Sequence, residues 1–297
     1  MPLIHRRHLL RMASLLPLAA LPLPALAKTA AAASDQKIQD RIQALEAQHG
    51  GRLGVALMNV GTGAVVSHRG DERFLFNSTC KVVIAAALLA QVDNDKASLD
   101  QRIEVKASDL TGWTPITEQK LGSPGMTIAE LCQAAVAWSD NAAANLLIER
   151  LGGPESVTAF LRNIGDATTR LDRTEPALNE HDHQGDERDT TTPLAMMQTL
   201  QTLLLGDALS PSSRHQLAAW MIEGKTGNAR LRAGMPANWL IAEKTGTNSV
   251  GNAADIGLAW TPDRGAVIAI AYVYLPEADK AQRDQVIADI GRLAASV

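Results

Sequence analysis

The strand-like segments of this 297-residue chain lie near its two ends and not in its middle. Residues 53–60 and 64–68 are rich in apolar and β-branched side chains and are joined by a Gly-Thr-Gly turn. Residues 239–244, 254–260 and 266–275 have the same character near the C-terminus. Two strands do not make an independently stable sheet, and three cannot bury both faces alone. The pattern therefore predicts one antiparallel five-stranded sheet to which both ends of the chain contribute.

The segments between these strands have the periodicity of helices. Helices are predicted over residues 81–91, 128–138, 142–151, 193–205 and 212–222. Two terminal helices are also predicted: one begins with Ser34 as its N-cap and stops at Gly50 and Gly51, and the other covers residues 280–294. The predicted fold class is α/β of the α+β type, in which the terminal helices flank the antiparallel sheet and the middle of the chain forms an all-helical domain.

The expected domain boundaries follow from this pattern. Residues 28–76 and 236–297 form a discontinuous α/β domain, and residues 77–235 form the helical domain. A cleft between two such domains is a natural site for small-molecule chemistry. Nucleic acid is a poor partner for this chain, because the formal charge is −4 and only 3% of the residues are aromatic.

The first 27 residues have the composition of an export signal. Arg6, Arg7 and Arg11 precede an apolar stretch, residues 12–27, which contains three prolines, is short for a membrane span and ends in Ala-Leu-Ala. We predict a signal peptide over residues 1–27, with either twin-arginine or Sec export, and a periplasmic protein that has no membrane association after cleavage. Cleavage takes the formal charge from −4 to −7, because three arginines are removed. An uncleaved anchor is the alternative that the prolines disfavour.

A serine and a lysine stand three residues apart where a helical apolar stretch begins, in Ser78-Thr79-Cys80-Lys81. This spacing places both side chains on one helix face, where the amine can hold or take the hydroxyl proton. The pattern alone is weakly specific. Ser34 and Lys37 repeat it, and there a capping serine is a sufficient explanation.

Two further short motifs have structural as well as chemical interpretations. Ser139-Asp140-Asn141 precedes a predicted helix and could simply cap it. Lys244-Thr245-Gly246 follows the strand-like residues 239–243, so its lysine can project from a sheet edge over a cleft. Lys225-Thr226-Gly227 has the same composition, but it follows a helical segment and is interpreted as a loop.

These motifs occur in one order together with a fourth element, residues 170–179, which contains Glu175, Pro176 and Asn179. In this combination the sequence closely resembles the class A serine β-lactamases, from about residue 38 to the C-terminus. The resemblance implies the two-domain fold of that family and hydrolysis of the β-lactam ring of penicillins and cephalosporins. It also implies antibiotic resistance as the biological outcome.

The resemblance implies a role for each catalytic residue. Ser78 would open the ring as the nucleophile, Lys81 would activate it, and Ser139 would relay a proton to the departing nitrogen. Glu175, together with Asn179, would position and deprotonate the water that hydrolyses the acyl-enzyme. Whether Glu175 or Lys81 takes the proton from Ser78 during acylation is left open by the family chemistry.

The resemblance also implies a set of residues that bind the substrate. These are Asn141, Lys244, Thr245, Gly246, Thr247, Arg230 and Trp113. The backbone N–H groups of Ser78 and Thr247 would form the oxyanion hole. Arg230 is expected to supply the cation that other members place on the strand at the position of Ala253, and Trp113 would stack on substrate at the cleft rim.

Two other functions share parts of this motif set. A penicillin-binding DD-peptidase would have the serine, the lysine and the Lys-Thr-Gly motif, and a non-hydrolytic β-lactam sensor would keep the serine and stall as an acyl-enzyme. Glu175 favours hydrolysis over both, because the resemblance gives it the role of base for deacylation.

The implied chemistry needs no metal and no cofactor, and the active form is expected to be a monomer. His181 and His183 alternate on a polar loop, where histidines are more often solvated than metal-bound. The resemblance further implies an ion pair between Arg173 and Asp189 at the base of the loop that carries Glu175.

The two cysteines are predicted to be free and buried. Cys132 matches one half of a family disulfide, but its usual partner position holds Ala85, and Cys80 lies about 140° away around the same helix. We expect a thiol reagent to find two thiols per chain after unfolding without reductant. A titration that finds none would show that the two sulfurs pair.

Overall fold

The computed structural model describes residues 23–183 and 185–297, with the side chains of the first helix described from residue 34. Its strands, in chain order, are β1 Arg52–Asn59, β2 Val65–His68, β3 Phe74–Leu75, β4 Arg102–Val105, β5 Gly122–Thr127, β6 Thr190–Thr191, β7 Leu240–Thr247, β8 Asn252–Thr261 and β9 Gly265–Tyr274. The five-stranded sheet has the order β2-β1-β9-β8-β7, and every neighbouring pair is antiparallel. The predicted sheet built from both ends of the chain is thus confirmed.

The helices agree closely with the periodic segments. They are α1 Leu23–His49, α2 Cys80–Asp93, α3 Ile128–Ala137, α4 Asn141–Leu151, α5 Pro154–Asn163, α6 Pro193–Leu204, α7 Pro211–Ile222, α8 Leu231–Gly234 and α9 Lys280–Ala294. The start predicted for the first helix was wrong, because α1 begins before Ser34 and that serine lies inside the helix. Its end at Gly50 and Gly51 was correct, and both glycines have positive φ.

Two apolar cores lie on opposite faces of the sheet. Ile42 of α1 and Ile290 of α9 pack on one face with Val55 of β1. Ile256 and Ile270, which are paired across β8 and β9, belong to the core on the other face, with the central helices α2 and α6. Because neighbouring strand residues point to opposite faces, the sheet needs a helical layer on each side.

The middle of the chain departs from the predicted all-helical composition in one respect. The strands β4 and β5 form a two-stranded sheet there, and β6 pairs with β3. The Gly122–Thr127 segment contains three turn-forming residues, Gly122, Pro124 and Gly125, so its composition hides a strand that pairs only locally. The domain boundaries at residues 76 and 235 stay a prediction.

The free state of both thiols is confirmed, since Cys80 and Cys132 are buried and unpaired within the described chain. Within residues 23–183 and 185–297 there is no helix that is long and apolar enough to cross a membrane. Most of the predicted signal peptide, residues 1–22, lies outside the described residues.

The close approach of α8 to α9 depends on Gly291. A Cβ built there would lie 2.5 Å from the carbonyl oxygen of Leu231. Glycine-to-alanine changes normally stabilise a helix by about 1 kcal/mol, but overpacking of this contact should outweigh that gain. We expect Gly291→Ala to lower the free energy of unfolding by about 1–3 kcal/mol in urea denaturation. Gln285→Ala, at an exposed position of α9, should stay within about 0.5 kcal/mol of the parent, and equal effects of the two changes would contradict the packing argument.

Candidate active site

A buried lysine lies beside the serine that the Ser-x-x-Lys motif singles out. Ser78 lies in the 3-10 turn Asn77–Thr79, directly before α2, and not in the α-helix itself. The continuous helical path still brings Nζ of Lys81 to 2.9 Å from Oγ of Ser78. The Lys81 side chain has no exposed surface. Its charge therefore depends on acceptors supplied by other parts of the chain.

Those acceptors come from two distant segments. Nζ of Lys81 donates to the backbone oxygen of Ser139 at 2.9 Å and to Oδ1 of Asn141 at 2.7 Å. It also lies 2.9 Å from Oε1 of Glu175, with both side chains fully buried. Glu175 Oε1 is itself 3.4 Å from Ser78 Oγ. Two proton paths thus lead away from the serine, one directly to Glu175 and one through Lys81.

Asp140 holds the Ser139-Asp140-Asn141 segment in place. It is the N-cap of α4, where its carboxylate accepts from the backbone N–H of Ala143, and it also accepts from the backbone N–H groups of Ile116 and Thr117. Ser139 takes a left-handed backbone conformation, with φ of 62°. The capping interpretation of this motif is therefore correct, and the same cap presents both neighbouring side chains to Lys81.

Glu175 is fixed at its backbone and at its carboxylate. Asn145 donates from Nδ2 to the Glu175 carbonyl and accepts from the Glu175 N–H, each at 2.9 Å. Asn179 donates to Glu175 Oε2 at 2.6 Å. The expected ion pair between Arg173 and Asp189 is confirmed, with Nε 2.6 Å from Oδ2. Together these contacts leave the carboxylate little freedom to turn away from the serine.

Asn145 was not predicted as a site residue, although the sequence contains a signal for it. Asn145 follows Asn141 by four residues on α4, so both amides lie on the same helix face, next to the buried Ala144 and Ile148. A polar residue repeated at this spacing on an apolar face indicates a site rather than a core.

Asn179 also connects the Glu175 loop to both walls of the site. Asn77 Nδ2 donates to Oδ1 of Asn179 at 2.9 Å, and Asn248 Nδ2 donates to its carbonyl oxygen at 2.8 Å. These residues are far apart in the sequence, and no local motif identified Asn77 or Asn248 as parts of the site.

The strand β7 supplies the opposite wall, and the Lys-Thr-Gly motif lies within it rather than after it. Lys244 donates to Oγ of Ser139 at 3.0 Å and to the backbone oxygen of Thr245 at 2.8 Å. Burial, and next the positive charge of Lys81, lower the pKa of Lys244 to about 7. The amines of Lys244 and Lys81 thus lie 3.0 and 3.5 Å from the same serine hydroxyl.

The Lys225-Thr226-Gly227 segment is a loop after α7, as interpreted from the sequence, yet it reaches the cleft. The hydroxyls of Thr226 and Thr245 are 2.6 Å apart. Thr226 is thus a cleft residue that the sequence analysis left out.

Arg230 lies under the end of β7 and is only 3% exposed. Its guanidinium donates to the carbonyl oxygens of Gly246 and Ala254, at 2.9 and 2.8 Å, and to Oγ1 of Thr247 at 2.7 Å. Its Nε pairs with Asp284 at 2.7 Å. Arg230 therefore reaches the cleft mainly through Thr247.

Ten of the twelve predicted site residues line one cavity of about 430 Å³, and the other two, Lys81 and Lys244, lie buried directly behind it. The cavity also includes Thr226 and Lys280. Trp113 stands at its rim, 59% exposed, and donates from Nε1 to the Trp138 carbonyl. A larger cavity of about 580 Å³ contains none of these groups, so the smaller one is the candidate active site.

No group of three His, Cys, Asp or Glu side chains in the described part of the chain could hold a metal ion. The cleft instead offers a hydroxyl nucleophile, two amines, a carboxylate and amide groups. Such a set is suited to acyl transfer.

Comparison with known proteins agrees with this chemistry. The family model described as the beta-lactamase enzyme family matches residues 37–297. The chain belongs to this family. It is 47% identical to the beta-lactamase OXY-2 of Klebsiella oxytoca over 93% of this chain and 94% of that protein. It is 46% identical to the beta-lactamase Toho-1 of Escherichia coli over 88% of this chain and 89% of that protein.

Solved structures of the same family have the same fold. An ancestral class A beta-lactamase matches with a TM-score of 0.84 and 53% identity, over 86% of this chain and 98% of that one. A beta lactamase from Xanthomonas campestris matches with a TM-score of 0.85 and 45% identity, over 88% of this chain and 97% of that one. The resemblance to class A serine β-lactamases is therefore confirmed, and the chain is an enzyme that hydrolyses β-lactams.

The low pKa of Lys244 predicts a pH limb in the kinetics. Lys244 loses its charge as the pH rises through about 7, so the binding of a substrate carboxylate, which the resemblance implies for this lysine, should weaken. We expect kcat/KM for a penicillin to fall by up to about tenfold per pH unit above that pKa. Lys244→Arg should remove this limb, because arginine stays charged. Parallel falls in the parent and the variant would assign the limb to another group.

Proposed function

We propose that the chain hydrolyses penicillins and cephalosporins through a covalent acyl-enzyme on Ser78. The observation that carries this proposal is the Ser78–Lys81–Glu175 arrangement, in which each pair of side chains is within 3.4 Å. A serine hydroxyl needs a neighbouring base to become a nucleophile at neutral pH. This arrangement supplies two.

In acylation, Oγ of Ser78 attacks the β-lactam carbonyl while its proton passes to Glu175 directly, or to Lys81 once Lys81 has given a proton to Glu175. The C–N bond of the ring breaks, and Ser139 delivers a proton to the leaving nitrogen. The Ser139 hydroxyl suits this role because Lys244 Nζ lies 3.0 Å from it and Lys81 Nζ lies 3.5 Å from it. The amines can return the proton that Ser139 gives up.

The negative charge that develops on the carbonyl oxygen is assigned to the backbone N–H groups of Ser78 and Thr247. Gly246 lets β7 approach the nucleophile closely enough for this. A Cβ at that position would lie 3.0 Å from the Phe76 oxygen and 3.3 Å from the Ser78 nitrogen. A larger residue there would push the two donors apart.

In deacylation, Glu175 takes a proton from a water that attacks the Ser78 ester, the bond between the acyl carbon and Oγ breaks, and Glu175 returns the proton to Oγ of Ser78. Asn179 holds the same carboxylate through its Nδ2 group at 2.6 Å and would help to orient the water. The clamp that Asn145 makes on the Glu175 backbone supports this geometry. A carboxylate in this position favours hydrolysis over the two alternatives, a DD-peptidase and a β-lactam sensor that stalls as an acyl-enzyme.

Substrate recognition is proposed to depend on a cationic wall for the carboxylate of the β-lactam. Lys244, Thr245, Thr247 and Arg230 would form that wall, while Asn141 and Trp113 would contact the side chain of the substrate. The wall is positive although the formal charge of the chain is −4. Such a local field attracts an anionic substrate against the overall charge.

The proposed setting of this activity is the periplasm, where the enzyme acts as a monomer. The export-like composition of residues 1–27 supports this location. Resistance to β-lactam antibiotics is consistent with such a location, because the drug is destroyed outside the cytoplasm.

The proposal predicts a separation of the two half-reactions. Glu175→Gln should lower kcat by about 100- to 10,000-fold, because the base for the water is lost, and the acyl-enzyme should accumulate. Mass spectrometry of a penicillin reaction should show an adduct that persists for minutes on Ser78. Glu180→Gln removes a charge from an exposed position of the same loop and should leave turnover unchanged. A parent enzyme that itself retains the adduct for minutes would support the sensor interpretation instead.

A further inference from the structure

Two acidic side chains lie buried next to each other behind the cleft, outside the machinery described above. Glu243 belongs to β7 and Asp255 to β8. In the register of these strands Thr245 faces Asp255, and Glu243 faces Gly257. Both acids therefore leave the same face of the sheet as diagonal neighbours, a distance that long side chains can bridge.

Each acid has one satisfied oxygen and one orphaned oxygen. Oε1 of Glu243 accepts from Nε of Arg232 at 2.7 Å, and Oδ2 of Asp255 accepts from the backbone N–H of Leu231 at 3.1 Å. Oε2 of Glu243 and Oδ1 of Asp255 are buried and have no partner within the described residues. Buried acceptors without a donor are costly, so this pair needs an explanation.

The cations around the pair have other partners. Arg232 pairs with Glu243, and Arg230 pairs with Asp284, which Lys280 also contacts. Lys244, the remaining cation in this environment, donates towards Ser139. Asp255 consequently has no cation in direct contact among the described residues. Burial and then the charge of Glu243 raise the pKa of Asp255 well above its ordinary value of 3.8, against the opposing effects of Arg230 and Lys244.

Backbone closes off the space around the Glu243 carboxylate. A Cβ on Gly227 would lie 2.2 Å from Oε1 and 2.9 Å from Oε2 of Glu243. A Cβ on Gly257 would lie 3.4 Å from the Glu243 Cβ. A hydrogen bond between the two acids needs less room than separate waters for each orphaned oxygen.

We propose that Asp255 is a neutral acid that donates a hydrogen bond from Oδ1 to Oε2 of Glu243, and that this bond positions Arg230 for the substrate carboxylate. One proton then satisfies both orphaned oxygens. Oε1 of Glu243 still accepts from Arg232, and Oδ2 of Asp255 still accepts from the N–H of Leu231, the residue that follows Arg230. Asp255 is thus a positioning residue.

Asparagine at position 255 is the matched test. The amide of Asp255→Asn can donate to Glu243 and accept from Leu231, as the neutral acid does, whereas Asp255→Ala can do neither. Infrared spectroscopy at neutral pH should show the carbonyl band of a protonated, buried carboxylic acid in the parent enzyme. That band should be absent in Asp255→Asn and present in Glu175→Gln.

Unfolding provides a second readout. In the folded protein Asp255 keeps its proton, whereas in the unfolded chain it loses the proton above about pH 3.8. The free energy of unfolding should therefore fall as the pH rises from 3.8 towards the pKa of Asp255 in the folded protein. Across that window the unfolding equilibrium constant of the parent should rise by about tenfold per pH unit relative to Asp255→Asn. Asp263→Asn, in an exposed turn, should follow the parent.

Kinetics test the positioning role, which rests on the proposed binding role of Arg230. KM for a penicillin should stay within about twofold of the parent in Asp255→Asn and rise about tenfold in Asp255→Ala and in Arg230→Ala, with kcat less affected. The inference would be overturned if the parent enzyme lacked the acid band or if the band disappeared in Glu175→Gln. It would also be overturned if KM rose as much in Asp255→Asn as in Asp255→Ala. A different outcome is an unchanged KM in Arg230→Ala together with the expected infrared and unfolding results. That outcome would reject the substrate role of Arg230 and the positioning role of Asp255, but the proton shared by Asp255 and Glu243 would stand.

Discussion

The buried ammonium group of Lys81 is the constraint on which the active site depends. A charge without solvent costs several kcal/mol unless it is paired and hydrogen-bonded. Its partners arrive from separate parts of the chain, the turn at Ser139, the start of α4 at Asn141 and the loop at Glu175. Closing those segments onto α2 satisfies the charge. The same contacts bring together Ser78, Glu175 and Ser139, the residues proposed as nucleophile, base and proton relay.

A second buried positive charge, that of Lys244, lies on the sheet side of the cleft. Lys244 is buried near Lys81, and the resulting low pKa makes its charge marginal in the free enzyme. The anionic substrate proposed for this site would relieve this repulsion, so the protonated lysine would be held best in the occupied site. Arg230 lies behind β7, where Asp284 and the strand carbonyls hold it, and would extend the proposed cationic wall.

The site was predictable where its chemistry is local in sequence. Ser78 and Lys81 are one helical turn apart, so their spacing alone brings the two side chains together. The Lys-Thr-Gly motif at 244–246 is consecutive and lies together for the same reason. The roles of Thr226, Asn248 and Asp255 were not predictable, because their partners are distant in the chain. In the sequence each of them looks like an ordinary polar residue of a loop or strand. Asn145 is an intermediate case. Its contacts are with a distant loop, but its spacing of four residues from Asn141 could have been recognised in the sequence. The start of α1 was missed because a serine can cap a helix or lie within one with little cost.

Hydrophobic periodicity in the sequence by itself determined the sheet drawn from both chain ends and the helical middle, and the order of the motifs carried the resemblance to the family. Only the tertiary structure decided how the segments close around the buried charges. It brought Asn179 between Asn77 and Asn248, turned the Lys225–Gly227 loop into the cleft and placed Asp255 beside Glu243. The physical reason is that periodicity reports which face of an element is buried, whereas the pairing of buried polar groups depends on contacts between residues far apart in the chain.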